Sequence, residues 1–281
     1  MQKEKIVVFG AGTMGHGIAT VFAANDFSVF LLDVDQKYLD NARIKIKKNL
    51  EKMSSKGAVI GSVDEALNRI MYTTDLNVAK DADLVVEAII ENIEEKKKLF
   101  KKLNEIANRQ AILASNTSSI SITQLGSFTD RPENVVGMHF FNPVPVLKLV
   151  EIVRGLGTSD DTIMKVTDFA KKVGKVPVLV SDYPGFVANR ILMPFINEGI
   201  YTLQENIATK ESIDSIAKLG FNMPMGPLEL ADLIGLDVCL DIMNVLYRDF
   251  GNQKYSPCPL LKKMVAAGKL GRKSGEGFYK Y

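Results

Sequence analysis

The stretch VFGAGTMGHG, residues 8–17, decides the fold. Glycines at 10, 12 and 15 follow directly on the chain's first apolar run, IVVF. If that run is a buried strand and the stretch after Gly15 a helix, the spacing G-x-G-x-x-G has a mechanical meaning. Gly10 makes the tight turn, Gly12 lets a pyrophosphate approach the backbone, and Gly15 lets helix and strand pack closely. Thr13 and Met14, between the second and third glycines, are counted with them as cofactor-binding, and the helix N-terminus offers its unpaired N–H groups and positive dipole end to the phosphates. A glycine-rich turn with no ligand is the alternative, and the surrounding sequence has to decide between them.

That context favours a dinucleotide. KIVVFG, FSVFLLD, DLVVEAI and AILAS read as buried strands separated by stretches of helical periodicity. The alternation predicts an α/β protein with a Rossmann-type, doubly wound, mostly parallel sheet. The second strand ends at Asp33, 23 residues beyond Gly10, where such a fold needs an acid for the adenosine ribose hydroxyls. In LLDVDQK, Asp35 follows two residues later and no arginine is present to accept a 2′-phosphate. NAD is therefore expected rather than NADP, Lys37 being the cation that could still swing toward a phosphate.

Between Asp33 and the strand signal at MYTT lies a long helical section, an arm at about residues 36–70. Its first part carries lysines at 45, 47, 48, 52 and 56. The basic run is either a solvated helix face or an anion-binding arm beside the cofactor. Ser62 with Glu65 three residues on predicts a capping box opening a second helix. After SDYPGF, residues 181–186, strand signals almost vanish. This divides the chain into a dinucleotide-binding domain, 1–183, and a helical domain, 184–281, for substrate and dimerisation. Several helices of the second domain are too apolar to be comfortable alone, so a homodimer through it is expected.

Composition narrows the function classes. A net charge of +2 over 281 residues, with 24% charged and 46% apolar residues, gives no footprint for nucleic acid. No apolar run reaches the ~18 to 20 residues that cross a bilayer. The lysines near the N-terminus lead into the glycine loop, not into a signal peptide, and a cytoplasmic location is expected. Cys239 and Cys258 form no metal-like or redox-like pattern, and no metal is expected.

Only two histidines occur. His16, in the first turn of the phosphate-binding helix, reads as a surface or spacer residue. His139 ends the apolar strand VVGMH at the carboxyl edge of the sheet, where open α/β folds bind ligands. Glu151 follows twelve residues later, and an antiparallel return through NPVPV brings the two face to face about Pro145. A carboxylate there fixes the imidazole tautomer and leaves the outer nitrogen to exchange a proton with a substrate hydroxyl. A purely structural pair is the alternative. ASNTSSIS, residues 114–121, sets Asn116, Thr117, Ser118 and Ser119 at the same edge, either capping the next helix or serving the site. Asn189, in PGFVANR, stands where the second domain begins, facing ligand or holding the domains together.

GAGTMG, EAIIENIEEKK, ASNTSS, GMHFFNPVPVLKLVEI, PGFVANRI, MGPLELADLIGLD and GRKSGEGFYKY, in this order, resemble the 3-hydroxyacyl-CoA dehydrogenase family along essentially the whole chain. Its short-chain bacterial members are the nearest in pattern. The resemblance implies a Rossmann domain with a helical dimerisation domain, and NAD-dependent oxidation of a short (S)-3-hydroxyacyl-CoA, expected to be (S)-3-hydroxybutyryl-CoA, to the 3-ketoacyl-CoA. The family's catalytic histidine falls on His139, its orienting glutamate on Glu151, its substrate-contacting serine and asparagine on Ser118 and Asn189. Glu91, Lys96 and Asn116 match positions lining the cofactor pocket, and Lys56 matches the region that meets coenzyme A. Hydratase segments of the multifunctional homologues are absent, so a stand-alone enzyme is expected. A β-hydroxyacid dehydrogenase acting on free acids shares the two-domain plan, but is expected to use a lysine where this chain offers His139 and Glu151. A catalytically silent NAD-binding protein is the rival outside enzymes.

Overall fold

The first apolar run forms β1 (Lys5–Phe9), its last four residues buried. The chain continues through α1 (Thr13–Ala24), β2 (Ser28–Leu32), α2 (Gln36–Ser54), α3 (Val63–Asn68), β3 (Ile70–Thr73), β4 (Leu84–Glu87) and α4 (Ile93–Ile106). There follow β5 (Ile112–Ser115), α5 (Ile122–Gly126), β6 (Val135–Phe140), β7 (Leu149–Arg154), α6 (Asp160–Lys172) and β8 (Val176–Ser181). The computed structural model describes residues 3–281, and these elements belong to the first of two units, Met1–Asp182.

The eight strands lie in the order β3-β2-β1-β4-β5-β6-β7-β8. Every neighbouring pair is parallel except β6 and β7. Strand order reverses between β1 and β4, the switch point at which open α/β sheets hold ligands beyond their carboxyl ends. The connection from β6 to β7 spans only residues 141–148, short of the dozen or more that a parallel crossover needs. The return is therefore antiparallel.

The section after Asp33 is less of an arm than its lysines imply. Leu39, Ala42, Ile46 and Leu50, spaced three or four apart on α2, are buried in one core with Ile18 and Phe22 of α1. Fully burying a Leu or Ile contributes about 1.5–3 kcal/mol, so this stripe anchors α2 along its length. Lys45, Lys47, Lys48 and Lys52 lie on the exposed side. The capping box closes as expected: the Ser62 hydroxyl accepts from Glu65 N at 3.1 Å, and the Glu65 carboxylate accepts from Ser62 N at 2.7 Å.

The second unit, Tyr183–Tyr281, consists chiefly of α7 (Ala188–Gln204), α8 (Lys210–Gly220), α9 (Pro227–Ile234), α10 (Leu236–Phe250) and α11 (Pro259–Ala266). Met193, Ile196, Ile200, Leu236, Met243 and Leu246 share its core. The apolar run GPLELADLIGLDVCLDIMNVLY has one helical period but forms two helices. Gly235 adopts φ +106, a conformation open to glycine and costly for other residues, and the chain turns there. Cys239 and Cys258 are free thiols, and burial pushes Cys239 up to about 12. Among the described residues no cluster of His, Cys, Asp and Glu is arranged to hold a metal, and no helix is long and apolar enough to cross a membrane.

Candidate active site

The three glycines of the opening loop answer to different demands. Gly10 has φ +93, and a Cβ there would stand 2.4 Å from the Ala88 carbonyl oxygen. At Gly15 a Cβ would meet Gly10 O at 1.7 Å. Protein packing alone requires both. Gly12 has nothing within 4 Å of its Cβ position, so the protein leaves its backbone open to approach. Gly12 is also the N-cap of α1 and offers no side-chain acceptor to the helix's first N–H groups. Unpaired donors at an accessible helix start fit the pyrophosphate of a dinucleotide.

Asp33 is tied to this loop: its Oδ2 accepts from Ala11 N at 2.7 Å. Asp35 caps α2 instead, accepting from Lys37 N at 2.9 Å. His16 departs from its reading as a surface or spacer residue, since it is only 9% exposed. Its Nδ1 lies 2.7 Å from Gly12 O, and burial lowers its pKa against the opposing pull of that carbonyl. A neutral ring that donates through Nδ1 fastens the first turn of α1, which a hydrophilic residue type in a short glycine-rich stretch does not reveal.

At the carboxyl ends of β4 and β5 a charged network is built on the buried Glu87–Lys96 pair. Lys96, 1% exposed, donates to Glu87 Oε1 at 2.5 Å and pairs with Glu91 Oε2 at 3.2 Å. Ser115 donates to the other oxygen of Glu87 at 2.6 Å. Glu91 Oε1 gathers the Thr117 hydroxyl, Ser118 N at 3.1 Å, and Ser119 through both N at 3.2 Å and Oγ at 3.0 Å. Burial works to raise the Glu91 carboxyl, but the Lys96 ammonium and the two hydroxyls outweigh it and hold the group below its ordinary value. The cluster 116–119 is thus not the cap of the next helix; Ser121 caps α5, accepting from Gln124 N. Glu91 instead shapes the loop that presents Ser118. Sequence reading missed Glu87 and Ser115, and left Thr117 open between a cap and the site. An acid closing the apolar run DLVVE was the available signal, because a buried carboxylate demands a paired cation.

Beside this network, β6 and β7 set His139 opposite Glu151 as register partners. His139 Nδ1 stands 2.8 Å from Glu151 Oε2, and the two residues are 7% and 2% exposed. The ionised carboxylate only accepts, so Nδ1 carries the proton and Nε2 is the basic nitrogen. The Phe141 ring lies against the imidazole with centroids 4.6 Å apart. Asn116 Oδ1 accepts from Phe140 N at 2.9 Å, pinning the residue after His139 to the end of β5. The first unit therefore brings Asn116, Ser118, Glu91, Lys96, His139 and Glu151 to one edge of the sheet.

Two further residues belong to other elements. Asn189 is the second residue of α7 in the other unit, and its N–H donates to Gly185 O at 3.2 Å. Gly185 and Phe186, both at positive φ, turn the chain into that helix. Lys56 is exposed just beyond the C-terminal end of α2. At 1.5 Å rise per residue that end lies roughly 28 Å from Asp35, and Ile60 N there bonds Ala24 O at the far end of α1.

Comparison with known proteins covers both units. Residues 5–183 match the NAD binding domain of 3-hydroxyacyl-CoA dehydrogenase, and residues 185–281 match its C-terminal domain. The 3-hydroxybutyryl-CoA dehydrogenase of Clostridioides difficile is 50% identical over 278 residues, 99% of each chain. The mitochondrial hydroxyacyl-coenzyme A dehydrogenase of Homo sapiens is 43% identical over 286 residues, 99% of this chain and 91% of that one. Among solved structures, the (S)-3-hydroxybutyryl-CoA dehydrogenase of Ralstonia eutropha matches with a TM-score of 0.95 at 45% identity, covering 100% of this chain and 99% of that one. With the nucleotide loop, the buried His139 and Glu151 and full-length matches in agreement, the chain belongs to the 3-hydroxyacyl-CoA dehydrogenase family and is an oxidoreductase with NAD as its cofactor.

Proposed function

We propose that the protein interconverts (S)-3-hydroxybutyryl-CoA and acetoacetyl-CoA, with His139 exchanging the proton on the reacting oxygen. The observation that carries this reading is the His139–Glu151 contact of 2.8 Å across β6 and β7. NAD supplies the hydride acceptor in oxidation, and its reduced form the donor in the reverse direction. In oxidation His139 Nε2 takes the hydroxyl proton as the hydride leaves C3, and the CHOH carbon becomes C=O. The Glu151 carboxylate stabilises the imidazolium so formed and holds the ring in the tautomer the step needs. In reduction the imidazolium returns that proton, so no bare alkoxide forms.

Ser118 and Asn189 are assigned to the reacting oxygen or the thioester carbonyl, where hydrogen bonds orient the substrate for transfer. Glu91 supports that role for Ser118 by holding its N–H. Gly10, Gly12, Thr13, Met14, Gly15, Asp33, Glu91, Lys96 and Asn116 are assigned to the cofactor, and Lys56 to a phosphate of coenzyme A. Asp33 disfavours a 2′-phosphate by charge, so NADH is the expected reductant over NADPH. The second unit exposes Ile191, Ile207, Leu219 and Phe221 at 64% or more, which supports a homodimer formed through it. The net charge of +2 supports no nucleic-acid partner, and a cytoplasmic site of action completes the reading.

The test is a steady-state assay of acetoacetyl-CoA reduction with NADH and then NADPH. Reduction with a higher kcat/KM for NADH is expected. No turnover of the thioester overturns the substrate assignment, and equal use of NADPH overturns the role of Asp33.

A further inference from the structure

The loop joining β6 to β7 is held by a cation that the reaction does not use. Lys175 is 8% exposed, and among the described residues no carboxylate acts on its charge. Its Nζ donates instead to two main-chain carbonyls of that loop, Val144 O and, at 2.7 Å, Leu147 O. The residue reaches them because the chain turns sharply after α6. Gly174 adopts φ +72, Lys175 N bonds Ala170 O at 3.0 Å, and Val176 N bonds Lys148 O at 2.8 Å as β8 joins β7. A buried ammonium satisfied only by neutral carbonyls is costly, and a carbon chain of similar length would fill the same space without that cost.

The same loop also touches the nucleotide helix. A Cβ on Gly17 of α1 would stand 2.9 Å from Val144 Cβ and 3.7 Å from Pro145 Cδ, so glycine is needed for the loop to seat there. Val144 is itself 2% exposed. One short loop thus joins the hairpin bearing His139 and Glu151 to the helix that receives the dinucleotide phosphates. From this juxtaposition we infer that Lys175 is a positioning residue for the reaction: by fixing the carbonyls of Val144 and Leu147 it sets the His139–Glu151 pair against the nucleotide helix. Lysine suits the task because a compact charge with three donors can hold two carbonyls at once. The inference rests on the reading of His139 as the proton-transfer group.

The test uses the whole protein and its two histidines, His16 and His139. Labelling with 15N-histidine gives two imidazole spin systems, assigned with His139→Gln. Lys175→Met is expected to shift the His139 ring resonances and to lower kcat for acetoacetyl-CoA about 10- to 100-fold, with Kd for NADH within about twofold, as misplacement of reacting groups predicts. Lys175→Arg, which keeps a cationic donor, is expected to restore most of both. A folded Lys175→Met protein with unchanged His139 resonances and wild-type kcat overturns the inference, leaving Lys175 a merely structural residue. Should that variant not fold, Val144→Ala keeps the bonds to the main chain but trims the two methyl groups from the contact with α1. It is expected to lower kcat several-fold and shift His139, and wild-type behaviour in both again overturns the inference. A wild-type protein that fails to reduce acetoacetyl-CoA overturns the functional reading instead, while the His139 resonances still decide the role of Lys175.

Discussion

Both units bury carboxylates, and they spend them differently. In the first unit Glu87 faces the ammonium of Lys96 and Glu151 faces the imidazole of His139. In the second, Asp214 and Asp232, each 1% exposed, accept mainly from the backbone. Asp214 takes Leu228 N at 2.9 Å and Glu229 N at 3.1 Å, capping the start of α9, together with the Tyr279 hydroxyl at 2.8 Å. Asp232 takes Phe278 N and Tyr279 N, both at 2.9 Å, and the Tyr281 hydroxyl at 3.2 Å. Burial and the Asp214 carboxylate push the Tyr279 hydroxyl up, so it stays a donor. A buried acid beside a group that can gain or lose a proton is equipped for chemistry. One surrounded by fixed N–H donors can only hold the chain in place.

The largest expected effect breaks the first half of this contrast. His139→Gln removes the proposed proton carrier, and general acid–base catalysis contributes about 100- to 10,000-fold, so kcat for acetoacetyl-CoA should fall within that range while NADH binding is retained. Glu151→Gln should follow it closely, because an amide can turn its NH2 toward Nδ1 and reverse the tautomer. Stopped-flow measurement of both variants decides, and near-normal turnover in either moves the chemistry elsewhere.

Asp232→Ala addresses the other half. It strands two backbone N–H groups and takes an acceptor from a hydroxyl, and at about 1–2 kcal/mol each the loss of stability should be about 3–6 kcal/mol. Urea unfolding measures that loss, while kcat per folded molecule should stay near the wild type. A catalytic loss with intact stability would erase the distinction between the units.

Lys175 gives a smaller effect whose sign sharpens the contrast. Burial holds this ammonium down at about 8, from an ordinary 10.5. Between those values the unfolded chain binds more protons than the folded one, so stability rises with pH there; the burial cost is full below 8 and gone above 10.5. Unfolding at pH 8 and 10.5 should therefore show wild type gaining up to about 3 kcal/mol relative to Lys175→Met. Parallel pH curves for the two proteins would mean that the ammonium is not desolvated.

The smallest effect belongs to Lys56. An exposed lysine meeting a phosphate is worth about 1 kcal/mol or less and is screened by salt. Lys56→Ala should raise KM for acetoacetyl-CoA modestly, less so at high salt, with kcat unchanged. An equal effect on a truncated thioester without the nucleotide would assign Lys56 to the solvated face of α2 alone.

Much of the first unit was legible because period and glycine spacing are local properties. The strands, the reversal through NPVPV and the capping box at Ser62 follow from residues a few positions apart, and twelve positions about Pro145 suffice to set His139 opposite Glu151. What the residues near each other could not show is what a folded neighbour demands. Only tertiary structure buried His16, broke a long apolar run at Gly235, and seated the lysine-rich helix on the core through Leu39, Ile46 and Leu50. Glu87 and Lys175 carry the same lesson. Their partners lie 9 to 31 residues away, and the cost of a buried charge, which dictates those partnerships, exists only once the chain has closed around it.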